Sequence, residues 1–139
     1  MLRTILIVIF IVGLTACGNA ENPQNAKAKQ YFLQGNKLYK ASKFKEAISL
    51  YNKALRITPK DAMVILKRGD CYRKLRKSRQ AIRDYDKVLK LRPSNARAYF
   101  HRGTLKIKLG KKSAGCQDVL KAKELCYVPA EQFYSKYCK

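Results

Sequence analysis

Five cysteines and a single histidine are the residues of this 139-residue chain with the widest chemical repertoire. Thiolates attack, bridge or bind metals, and an imidazole moves protons near neutral pH. Each of these uses demands a spacing. Structural zinc wants close pairs of the C-x-x-C kind, and none of Cys17, Cys71, Cys116, Cys126 and Cys138 has such a partner; with His101 as the only histidine, no metal site is expected. His101 also lacks a Ser or Cys nucleophile in a recognisable motif, so it reads as a surface or groove side chain. Gly35, Gly69 and Gly103 are isolated, and Gly110-Lys111 lacks the rest of a phosphate-cradling loop. No catalytic residue and no cofactor are therefore expected, and function should rest on binding.

Charge bounds the kind of binding. Lys and Arg number 31 against 9 Asp and Glu, a formal net charge of +22, in a chain that is 47% hydrophobic. The length admits one ordinary domain, which excludes a large multidomain enzyme, and the apolar content excludes a disordered polyelectrolyte. A basic chain reads first as a binder of nucleic acid, but the N-terminus argues for export and against that partner. After Arg3, residues 4–16 carry no charge; the run is too short to span a bilayer, which takes about 20 apolar residues, and fits a secretory core segment. The junction Leu14-Thr15-Ala16-Cys17 resembles the bacterial lipoprotein box. That resemblance implies a signal peptide over 1–16, acylation of Cys17, and a mature protein lipid-anchored outside the cytoplasm, at the outer membrane or the periplasmic face. An ordinary signal peptide or a short membrane-dipping segment is the alternative. Residues 17–27, polar and containing Pro23, read as a flexible tether.

The body repeats with a period of 34. Ala28, Ala62 and Ala96 recur at that step, as do Gly35, Gly69 and Gly103; later in each unit come Ala47, Ala81 and Gly115, then Tyr51, Tyr85 and Val119, and Pro59 and Pro93 close the first two. A fixed period of this length decides a fold before local propensity does. Apolar residues at steps of three and four make each unit two amphipathic helices joined by a polar turn. A glycine inside a helix costs about 1 kcal/mol against Ala, so three in register call for a close helix approach, with Ala47, Ala81 and Gly115 expected opposite them.

These residues resemble the tetratricopeptide repeat over 28–129, in units 28–61, 62–95 and 96–129. The resemblance implies an all-α, right-handed helical-repeat solenoid of three helix pairs. The third unit departs, with Tyr127 in the closing slot and Pro129 two residues late. Residues 130–139 place Ala130, Phe133, Tyr134 and Tyr137 on one stripe and read as a capping helix over the last unit's exposed core. If that cap doubles back near Val128, Cys116 and Cys138 fall twelve residues before and ten after the turn and would face each other. The alternative is that Cys71, Cys116, Cys126 and Cys138 are all small core residues.

The resemblance also implies which positions line the groove of the stack. They are Lys29, Phe32, Asn36, Tyr39 and Lys40; Met63, Leu66, Lys67, Asp70, Arg73 and Lys74; and Arg97, Phe100, His101, Thr104, Ile107 and Lys108. An apolar floor edged by cations suits an acidic or amphipathic protein segment. Members that grip the C-terminal carboxylate of chaperones tend to carry Lys, Asn, Asn, Lys and Arg at the slots held here by Phe32, Asn36, Lys67, Arg97 and His101. Only Asn36 and Arg97 agree, so that grip is not expected. Two functions remain: a lipid-anchored protein-binding module of the cell envelope, or charge-driven adhesion to an anionic membrane or envelope polyanion without a specific peptide partner.

Overall fold

The computed structural model describes residues 22–139; Cys17, the apolar run before it and the start of the expected tether, residues 17–21, lie outside the described residues. Seven helices follow in order: α1 Pro23–Lys40, α2 Phe44–Ile57, α3 Ala62–Lys74, α4 Ser78–Leu91, α5 Ala96–Lys108, α6 Lys112–Glu124 and α7 Val128–Tyr137. No strand occurs among the described residues. Each helix packs on the next, most extensively within the pairs α1/α2, α3/α4 and α5/α6. No helix among the described residues is long and apolar enough to cross a membrane.

Two boundaries differ from the sequence expectation. Residues 23–27, read as tether, form the first turns of α1, because Pro23 is preset for a helix start and the Asn22 side chain accepts a hydrogen bond from the Gln24 N–H at 2.9 Å. Polar composition had masked a capped helix start. The last helix begins at Val128, so Pro129 sits in its first turn and does not close the third pair.

Hydrophobic burial follows the 34-residue register. Tyr51, Tyr85 and Val119 are fully buried, as are Ala47, Ala54, Ala81 and Ala122. The glycines face the paired helix, but Ala47 and Ala81 are not what they meet. A Cβ on Gly35 would lie 2.6 Å from the Tyr51 ring, and one on Gly69 would lie 3.1 Å from the Tyr85 ring. The helix register sets the aromatic ring against the glycine, one turn beyond the alanine. Only in the third pair does small meet small, with a Cβ on Gly103 falling 2.6 Å from the Gly115 carbonyl oxygen.

Polar groups repeat at the same step. The Tyr51 hydroxyl donates to Asn36 Oδ1 and the Tyr85 hydroxyl to Asp70 Oδ1, each at 2.8 Å, so both buried phenols are satisfied. Arg68 reaches Asp84 with two N–H groups and Asn52 with a third; Arg102 does the same with Asp118 and Asp86. Each guanidinium thus ties three consecutive helices, with the fork geometry that makes arginine–carboxylate pairs strong. The 34-residue spacing of Arg68/Arg102 and Asp84/Asp118 is present in the sequence, but nothing there shows that the four residues pair.

The two edges of the stack are built differently. Where one pair hands over to the next, Asp61 and Asn95 cap α3 and α5 through side-chain hydrogen bonds to backbone N–H groups at 2.9 Å. Where the first helix of a pair turns into the second, the caps of α2, α4 and α6 are Lys43, Lys77 and Lys111, none of which makes a side-chain cap bond. A lysine there forgoes about 1 kcal/mol relative to Ser, Asp or Asn. The turns themselves share one form: Ser42, Arg76 and Gly110 take positive φ, and the next residue's N–H closes a six-residue bond back to Leu38, Tyr72 and Lys106.

Cys116 and Cys138 are bridged, with Cα atoms 5.5 Å apart, joining α6 to the end of α7. Cys71 and Cys126 are free, the first buried and the second exposed at the α6–α7 turn. Burial, reinforced by the Asp70 charge, pushes the Cys71 thiol up to about 12. It is an inert core residue.

Candidate functional site

The first helices of the pairs, α1, α3 and α5, adjoin along one face. Lys67 of α3 lies over the Tyr39 ring of α1 at 5.4 Å, and Arg97 of α5 donates to Asp70 of α3. Between α1 and α3 opens a cavity of about 510 Å³ lined by Leu33, Asn36, Lys37, Tyr39, Lys40 and Lys67. Four of the sequence-expected groove residues, Asn36, Tyr39, Lys40 and Lys67, are brought together there. Leu33 and Lys37 were missed, since each is the neighbour in sequence of an expected slot and only the rotation of α1 reveals it. Leu33, 52% exposed, supplies the apolar floor.

Between α3 and α5 the face becomes cationic. Arg73, Lys74 and Arg97 surround His101, whose ring stacks at 5.9 Å from Tyr85 and 5.4 Å from Phe100. The Nε atoms of both Arg73 and Arg97 are buried without a hydrogen-bond partner. Buried guanidinium donors left in this state are an unmet demand for an acceptor. Burial, then the charges of Arg73, Arg97 and Lys74, lower the His101 pKa from 6.5 to about 3. The imidazole is therefore neutral and adds no charge to the slot.

Other expected groove residues are engaged elsewhere. Asp70 is fully buried and holds both the Tyr85 hydroxyl and Arg97, so it is a structural ion and not a partner contact. Leu66 is 5% exposed and belongs to the central core, because its position on α3 turns toward α4 and α5. Phe32 packs its ring against Tyr51 at 6.0 Å. Phe100 is covered by the terminal helix, meeting Tyr127 at 5.3 Å and Phe133 edge-on at 5.6 Å. Ile107 packs on Gly115 within its own pair, and the Thr104 hydroxyl donates to the His101 carbonyl. Met63 stays exposed at the start of α3, while Lys108 lies exposed toward the α5–α6 turn. The usable face is thus narrower than the sequence suggested: a half-apolar cavity at α1/α3 beside a cluster of two arginines and a lysine at α3/α5.

A pH signature follows. Because the His101 pKa is lowered on folding, the unfolded chain takes the proton first, and the stability held above pH 6.5 is lost as pH falls toward about 3. Replacing His101 with Phe keeps the ring packing and removes the titration. The wild-type Tm should drop a few degrees further than that of His101→Phe on going from about pH 7 to about pH 4. Parallel Tm curves for the two proteins would contradict the neutral, buried imidazole.

A family model described as TPR repeat matches residues 35–75 and 69–110. Over 42 residues the chain is 50% identical to the Hsp70-Hsp90 organizing protein of Triticum aestivum, a match that spans 30% of this chain and only 7% of that protein. Among solved structures, the first TPR of Spaghetti (RPAP3) bound to the HSP90 peptide SRMEEVD superposes with a TM-score of 0.77 at 28% identity, over 82% of this chain and 92% of that one. The second TPR of the same protein, bound to the same peptide, gives 0.70 at 26% identity, over 74% and 95%.

Proposed function

Because this chain belongs to the TPR repeat family, we propose that it is a non-catalytic protein–protein interaction module whose groove takes an acidic or amphipathic segment of a partner. The observation that carries this reading is the pair of buried, unpartnered Nε donors on Arg73 and Arg97, beside an exposed lysine and next to a cavity with an apolar floor. An acidic side chain would satisfy the arginines, and an apolar neighbour in the same segment would rest on Leu33 and Tyr39. Charge complementarity of this kind speeds encounter and fixes register, while apolar anchors hold the complex. The two structural neighbours that hold SRMEEVD, a peptide with paired glutamates, support an occupant of this chemistry. The uncharged run over residues 4–16 and the resemblance of Leu14-Thr15-Ala16-Cys17 to a lipoprotein box support the further reading that the module is held at a bacterial envelope membrane through a lipid on Cys17.

Full-chain protein titrated against labelled SRMEEVD, its C-terminal amide and the charge-inverted SRMKKVK tests the groove. Binding of both acidic forms and rejection of the basic one are expected. Combined Arg73→Gln and Lys74→Glu, which spare the Arg97–Asp70 pair, should weaken the acidic peptides about tenfold or more. Equal affinity for the basic peptide, or an unchanged affinity in the variant, would sink the proposal. Loss of binding on amidation alone would move the recognition to the terminal carboxylate.

A further inference from the structure

The edge where each pair turns from its first helix into its second carries charge that fold stability explains only in part. Lys37, Lys40, Arg73, Lys74, Lys106 and Lys108 sit in the last turns of α1, α3 and α5, where the helix dipole favours cations, and Lys106 pairs with Asp118, but the cations at the helix starts that follow have no such support. Residues 37–45, 73–79 and 106–112 contain thirteen Lys or Arg and no Asp or Glu. Eleven of the thirteen are exposed. The second and third turns adjoin: Leu109 shares one surface depression with Arg79, Arg83 and Lys111, and another with Arg76 and Lys77. The cations of these two turns are thus pooled on one side of the molecule.

Local physics opposes this placement twice. Lys43, Lys77 and Lys111 stand at the positive ends of α2, α4 and α6, where a cation is disfavoured, and they cap nothing. At the other edge the same chain uses Asn22, Asp61 and Asn95 and obtains the cap bonds. Arg76 also takes a φ of 58°, in register with Gly110 at 82°, where a side chain is strained and glycine is not. A sequence that can cap its helices yet puts lysine at all three of these sites is serving something other than its own stability.

We infer that this edge docks on an anionic lipid surface. Leu109, 42% exposed among those cations, is an apolar tip of the kind that settles at a headgroup boundary while lysines meet the phosphates. Nucleic acid is the other polyanion to weigh, but each ring at this edge is already engaged by a neighbour. Tyr39 and Phe44 pack edge-on against each other at 5.5 Å, and Tyr72 packs against the central core. The edge shares Lys37, Lys40, Arg73 and Lys74 with the peptide groove, but no residue changed in the test below lines that cavity or belongs to its cationic cluster.

The experiment is cosedimentation of the full chain with vesicles of phosphatidylcholine, with and without a third of phosphatidylglycerol. The variant combines Lys43→Asp, Lys77→Asp and Lys111→Asp. Aspartate caps helices, so the triple variant should melt above the parent while its binding to the anionic vesicles falls about tenfold or more. Binding to pure phosphatidylcholine, which reads out any insertion of the apolar N-terminal run, should not change. A parallel triple serine variant, neutral and also able to cap, should bind between the two. Opposite signs for stability and binding cannot come from a structural role alone. Retention of anionic-vesicle binding in both variants would overturn the inference. So would duplex DNA that displaces the parent from the vesicles and binds it more tightly than they do.

Discussion

Gly103→Ala and Gly115→Ala should each destabilise the protein by about 3 kcal/mol, whereas Gly69→Ala should be close to neutral. All three glycines lie inside helices, so alanine brings the same gain in propensity, about 1 kcal/mol, at each site. What differs is the neighbour. At Gly103 the new methyl would sit 2.6 Å from the Gly115 carbonyl oxygen and 2.9 Å from Val119; at Gly115 it would sit 2.6 Å from the Gly103 oxygen and 2.9 Å from the Ile107 nitrogen. Backbone on both sides leaves no atom free to swing away, and α5 and α6 must separate. At Gly69 the nearest atoms belong to the Tyr85 ring at 3.1 Å and the Asp84 Cβ at 3.2 Å, where a few tenths of an ångström of movement suffices. Urea titrations of the three variants measure the difference. Equal midpoints would show that α5 and α6 do not approach as closely as described.

Asp70→Ala should cost about 4 kcal/mol and Asp70→Asn about half as much, the largest effects expected from a single polar side chain. The carboxylate is fully buried, accepts the Tyr85 hydroxyl at 2.8 Å and pairs with Arg97. Alanine strands the phenol without an acceptor and leaves Arg97 without its counter-ion. The Asn amide oxygen still serves the phenol, so only the charge compensation is lost. Adding Arg97→Met to Asp70→Ala should recover part of the loss, because an uncompensated cation is worse than no pair. Strict additivity in that double variant would refute the account. Glu124→Ala, which removes an exposed partner of Lys121, should change stability by less than about 0.5 kcal/mol.

Why the architecture could be read from the residues is clear from the three glycines. A period of 34 carried by Gly35, Gly69 and Gly103 puts a close helix approach at the same point of each pair, against a tyrosine ring in the first two and Gly115 in the third, and stacked repeated pairs make a helical-repeat solenoid. The face was less legible. Periodicity says that Leu66 and Asp70 share a stripe with Lys67 and Arg73, but burial depends on rotation of the helix by a fraction of a turn, which spacing does not encode. Asp70 looked like a groove acid because nothing in sequence reveals that Tyr85, fifteen residues on, needs its oxygen. The same blindness hid Leu33 and Lys37, and it hid the start of α1 at Pro23, where capping chemistry outweighed a polar, linker-like composition.

The arginine braces also give the molecule a direction. Arg68 and Arg102 lock the second and third pairs, and the Cys116–Cys138 bridge fastens the last helix, but the matching positions of the first pair are Gln34 and Leu50, which form no ion pair. Tension drawn through the N-terminus would thus meet its weakest resistance first. The opening hairpin, tied to α3 by the Arg68–Asn52 bond and by apolar packing, would peel away as a compliant spring before the braced pairs behind it gave way.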